Sequence, residues 1–170
     1  MVVSGMSGHE YANLIADYVY EQFSDRGITV YREVNLGKSI IGKNRRVDLM
    51  LVNSADQTAF AIECKYQDSN GTADEKIPYA LANMAALPMS GCIVYAGAGF
   101  SVGVLHMLQA SAIAAYCLPD LQNLRSHKDT KELDHLLAMH FHWWDVLVSG
   151  KKPWVKRSTQ QQVMELSDLQ

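Results

Sequence analysis

Three charged side chains interrupt two runs that otherwise read as apolar strands. Asp48 lies inside Val47–Val52, and Glu63 and Lys65 stand at the close of Thr58–Lys65. Charge placed in such runs gives up apolar burial, and a chain that accepts this loss usually uses the charge for chemistry. Two carboxylates brought together suit a hard divalent cation such as Mg²⁺, which takes one or two carboxylates and completes its octahedron with water and phosphate. A cation held there would acidify a bound water and stabilise charge on a phosphate under attack. A neighbouring lysine would orient or deprotonate that water, or offset the charge that develops.

Strands must bring these residues together. Asn53–Gln57 has turn composition and Ile28–Val34 is β-rich, so three strands in an antiparallel meander are expected. Side chains alternate along a strand, which sets Glu63 and Lys65 on one side with Ala59 and Ala61, residues small enough to leave room for a cleft.

The remaining pattern is α/β. His9–Asp25 carries Tyr11, Leu14, Ile15, Tyr18, Val19 and Phe23 on one helical face and closes at Arg26-Gly27; Glu10 precedes Leu14 by one turn on the inward side. Asn35–Asn44 reads as a polar loop. Thr72–Glu75 has a capping-box pattern ahead of a helix reaching about Leu87, with Pro78 in its first turns. Cys92–Ala96, flanked by glycines, suits a strand buried on both faces and joined in parallel through that helix. A helix over about Ser101–Ala114 and a short strand Ala115–Leu118 follow. Glu132–Val148, apolar and aromatic almost all round, is expected as one long buried helix, within the domain or at a subunit contact.

With 170 residues, 48% of them hydrophobic, the chain suffices for one domain over 1–150, followed by a polar, basic tail over 151–170. No apolar run reaches the roughly 20 residues of a membrane span, and Met1–Glu10 lacks the pattern of a signal peptide, so a soluble cytoplasmic protein is expected. Cys64, Cys92 and Cys117 show no CxxC spacing and read as small buried residues in a reducing compartment. A net charge of -3 is not that of a strongly basic nucleic-acid binder, so any such contact must be local.

An acid in one strand and an acid-x-lysine in the next, within the order αβββαβ, resembles the PD-(D/E)xK nuclease superfamily, the restriction-endonuclease-like fold shared with archaeal Holliday-junction resolvases. The resemblance covers about Gly8–Leu118 and implies an α/β domain with a mixed central sheet flanked by helices, here with an extra C-terminal helix. It implies that Asp48 and Glu63 bind the metal and that Lys65 is the motif lysine. Glu10 is similar to the additional helix acid of resolvases, a third metal-side residue, and Gln67 to a polar position beside the site. Val47 stands where the motif's name has proline. The expected activity is Mg²⁺-dependent endonucleolytic hydrolysis of DNA, with Mn²⁺ able to substitute, by a homodimer. The alternative is a catalytically silent module that keeps the fold for DNA binding or assembly.

Lys38, Lys43, Arg45 and Arg46 flank the second strand and are expected to track a phosphate backbone, with Lys76 as a further phosphate contact. Glu33 reads as a solvated charge at a strand end. His140 and His142 do not share a helix face and read as packing residues, and Gly97-Ala98-Gly99 reads as a strand-to-helix turn.

Overall fold

The computed structural model describes residues 5–70 and 73–158, together with Met164 and Ser167. Thr72, the expected helix cap, and most of the tail beyond Ser158 lie outside the described residues.

Helix α1 (Gly8–Phe23) begins at a capping box in which Ser7 and Glu10 satisfy each other's backbone N–H. Its buried face is Tyr11, Ala12, Leu14, Ile15, Tyr18, Val19 and Phe23, in agreement with the periodicity. A 3-10 turn (Ser24–Arg26) ends at Gly27, whose φ of 86° turns the chain into the sheet.

Five strands follow in spatial order β1-β2-β3-β4-β5. β1 (Ile28–Lys38), β2 (Asn44–Asn53) and β3 (Ala59–Tyr66) form the antiparallel meander. Helix α2 (Ala73–Ala85) crosses to β4 (Gly91–Ala96), parallel to β3, and helix α3 (Val102–Ala110) leads to β5 (Ala114–Tyr116), parallel to β4. This mixed sheet with flanking helices is the expected restriction-endonuclease-like architecture. Cys92–Ala96 is buried throughout, as its unbroken apolar run required, and all three cysteines are free and buried.

The sheet has two faces with separate cores. One packs Leu49, Leu51, Phe60 and Ile62 against α1 and helix α4 (Lys131–Phe141). The other packs Ile93 and Tyr95 against Ile77 and Met84 of α2 and Leu108 of α3.

Two expectations are corrected. Most of the supposed loop 35–44 is hairpin, because β1 continues to Lys38 and pairs Asn35 with Arg46 and Lys38 with Asn44; backbone pairing does not require apolar side chains. The long C-terminal helix is two pieces. α4 stops at His142 in the left-handed region (φ 63°), the Trp143 N–H returns to the Ala138 carbonyl, and a short helix α5 (Trp144–Leu147) follows. The break folds Trp143 back between Phe23 and Phe141, with ring centroids 4.9 and 5.0 Å away. Trp143, the candidate subunit contact, is therefore in the protein's own core, while Trp144 is exposed. Among the described residues no helix is long and apolar enough to cross a membrane.

Candidate active site

The site forms where the β2–β3 ladder ends and the β1–β2 ladder misses one step. The β2–β3 ladder ends at Leu49 opposite Ile62, and one further step of that register sets Asp48 opposite Glu63. In place of a ladder bond, the Asp48 carboxylate accepts the Cys64 N–H at 2.7 Å. On the other side, the β1–β2 register runs from Arg32 opposite Leu49 to Val34 opposite Val47 and skips the Glu33–Asp48 step. There Glu33 has φ 55°, and the Arg32 guanidinium donates to the Asp48 carbonyl at 2.6 Å while its Nε bonds Asn13 of α1. A non-glycine residue in this backbone region is strained, and it is tolerated only where the surroundings impose it.

Lys65 projects to the same side as Glu63, as alternation required, and its ammonium donates to the Glu63 carboxylate at 2.8 Å. Burial pushes the Glu63 carboxyl above its ordinary value, Lys65 and Arg46 oppose that shift, and the charge of Asp48 adds to it. A half-buried carboxylate facing a second one is an arrangement that a cation relieves. Two carboxylates with hard oxygen donors therefore fit a divalent cation completed by water and phosphate oxygens.

Glu63 and Lys65 open into a cleft of about 300 Å³ between the start of β2 and helix α2. Lys43, Arg45, Arg46 and Lys76 line it as well, so it holds five cationic side chains and one carboxylate. Four of the five residues expected to meet phosphate thus line the same cleft as Glu63. Lys38 does not; it bonds Asn44 at the exposed hairpin. The cleft is not over Ala59 and Ala61, which do not line it, and Ala61 is fully buried.

Glu10 and Gln67 are placed differently from the acids. The Glu10 carboxylate accepts the Ser7 N–H at 2.7 Å, capping its helix, and that bond lowers its pKa. Among the described residues no group of three or more acids, histidines or cysteines is placed to hold a metal ion. Gln67 is buried, and its amide donates to the Gly99 carbonyl at 2.8 Å, tying the end of β3 to the turn after β4. Arg32, which braces Asp48, was not legible in the sequence. Tyr79 and Asn83, which line the cleft from α2, were foreshadowed by their spacing from Lys76, three and seven residues on, which is one helix face.

Fold and site together define an α/β domain that carries an acid pair and a lysine at a parting of its sheet. The family model described as PD-(D/E)XK nuclease superfamily domain matches residues 7–144, and the chain belongs to that superfamily. No curated protein matches the chain in sequence. Two solved structures are similar in part. One, a protein of unknown function, AF1548, is 14% identical with a TM-score of 0.42, covering 61% of this chain and 56% of its own. The other, a repair endonuclease from Pyrococcus abyssi, is 17% identical with a TM-score of 0.33, covering 57% of this chain and 42% of its own. The chain thus spans about half the length of these two structures.

Proposed function

We propose that the protein is a Mg²⁺-dependent DNA endonuclease, with Mn²⁺ able to substitute, and that Asp48 and Glu63 hold the metal. The observation that carries this reading is the pairing of Asp48 and Glu63 across parted strands, with Lys65 bonded to Glu63 at the edge of a basic cleft. A divalent cation bound there supplies Lewis acidity to a phosphate oxygen and lowers the pKa of a water.

The chain's own residues do the rest. Arg32 and the Cys64 N–H hold Asp48 in place, so that its carboxylate is aimed before anything binds. Lys65 orients the attacking water or offsets charge on the phosphate as it is attacked. Lys43, Arg46 and Lys76 hold the strand by its phosphates. Glu10 and Gln67 serve the helix cap and the β4 turn in this reading. Cutting both strands with one site per chain calls for two subunits, so a homodimer is expected; with Trp143 internal, the exposed Trp144 beside it is a candidate for the contact.

The test is plasmid cleavage in Mg²⁺ by the parent, Asp48→Ala and Lys65→Ala proteins, with calorimetry of Mg²⁺ and Mn²⁺ binding beside it. Equal cutting by all three would sink the assignment. Retained DNA affinity without metal binding or cutting would favour a silent module.

A further inference from the structure

Arg45 is the anomaly of the cleft. It is only 7% exposed, yet among the described residues it forms no ion pair with a carboxylate. Among the described residues its Nε has no hydrogen-bond partner, and its side chain makes one bond, a long one of 3.4 Å, to the amide oxygen of Asn83. Burying a guanidinium in this way is unfavourable unless an anion joins it. Lys43 and Lys76 line the same cleft, and neither has a carboxylate partner among the described residues.

The charge in the cleft also distinguishes among anions. An internal phosphodiester carries one negative charge and chain on both sides, whereas a phosphomonoester carries nearly two at neutral pH and is attached on one side only. A guanidinium at the bottom of a cleft, matched to planar bidentate contact and flanked by lysines, favours the more highly charged group that can enter end-on. Tyr79, partly exposed on α2 at the same cleft, offers a ring face for the attached nucleoside.

We propose that this cleft is a subsite for a phosphomonoester carried on a nucleotide, with Arg45 as its principal ligand and Lys43 and Lys76 as supporting cations. This rests on the reading of the site as a nuclease and narrows it, since the enzyme would engage phosphorylated strand ends beside the carboxylate pair.

The experiment is fluorescence anisotropy in EDTA, so that neither metal binding nor cleavage enters the readout. Short duplexes ending in 5′-phosphate, 3′-phosphate or hydroxyl groups are compared. At least one phosphorylated end is expected to bind about tenfold more tightly than the hydroxyl end. Arg45→Gln should erase that ratio and Lys76→Gln should reduce it about threefold. Equal affinity for all ends in the parent overturns the proposal, as does an unchanged ratio in a folded Arg45→Gln protein. Should Arg45→Gln fail to fold, an unchanged ratio in Lys76→Gln overturns it instead. Competition by a free nucleoside monophosphate as strong as that by the phosphorylated duplex assigns the site to the mononucleotide, and weaker competition assigns it to the strand end; both support the monoester. Cleavage of plasmid and of the same linear phosphorylated duplexes with Mg²⁺, run separately, keeps the two readings apart. End discrimination without cutting of either substrate removes the nuclease and leaves the subsite, and cutting without discrimination does the reverse.

Discussion

Asp48 reaches across to β3 and accepts the backbone N–H of Cys64, the residue between Glu63 and Lys65, at 2.7 Å. One carboxylate oxygen thus closes a gap in the sheet and ties Asp48 to the strand that carries Glu63. The bond makes structural and chemical roles of Asp48 separable by substitution.

Asp48→Asn keeps an oxygen that accepts the Cys64 N–H, and Asp48→Ala does not. Urea denaturation should show Ala destabilised by about 1–3 kcal/mol and Asn within about 1 kcal/mol of the parent. Plasmid cleavage should fall on the order of 100-fold or more in both. An Ala variant as stable as the parent would show that the bond holds nothing.

Glu33 sits with φ 55° at the step of β1 where the register skips Asp48. Glycine adopts that conformation without steric cost, whereas a β-branched residue does not. Glu33→Gly should therefore be neutral or stabilising by up to about 1 kcal/mol, although glycine ordinarily weakens strands, and Glu33→Val should lose about 1–3 kcal/mol. Equal destabilisation by both, in the same denaturation assay, would place the strain elsewhere.

Gly97 has φ 106°, and a Cβ there would stand 2.1 Å from the Gln67 carbonyl oxygen. The close approach holds the end of β3, and so Lys65, against the turn after β4. Gly97→Ala should cost about 2–4 kcal/mol by thermal or chemical melting. Gly103→Ala is the control: it lies in α3 with nothing near the added methyl, and it should stabilise by about 0.5–1 kcal/mol.

His140 sets the sign of one pH effect. Its Nε2 lies 3.0 Å from the Ala59 carbonyl beside the Phe60 ring. Burial lowers its pKa below the ordinary imidazole value, outweighing the bond to Ala59, which raises it. The folded state therefore favours the neutral ring. Its contribution is complete above about pH 6.5, the unfolded value, and is lost as pH falls through the lowered folded value. Melting curves from pH 7.5 to 5 should fall less steeply for His140→Phe than for the parent, and parallel slopes would rule out this residue as the cause.

How much of this was readable in the residues depends on the range of the interaction. The amphipathic face of α1, the two-sided burial of β4 and the common side of Glu63 and Lys65 follow from spacings of two to four residues, because local backbone geometry alone orients side chains that close in sequence. Asp48, Glu63 and Lys65 were recognisable as charges without a structural excuse. The Cys64 N–H that Asp48 accepts and the Arg32 brace were not, because register depends on which strands meet. The same holds for the cleft, which exists because α2, beginning 28 residues beyond Arg45, lays Tyr79 and Asn83 over the start of β2. Glu10 shows the converse: its type and helix position suggested a ligand, and only the folded backbone revealed a nearer claim on its carboxylate, the Ser7 N–H. The chain's own order determined the strands, the acids and the lysine; tertiary packing decided that Asp48 faces Glu63, that Arg45 is buried with no ion-pair partner among the described residues, and that His142 turns Trp143 inward, because each rests on contacts between segments distant in sequence.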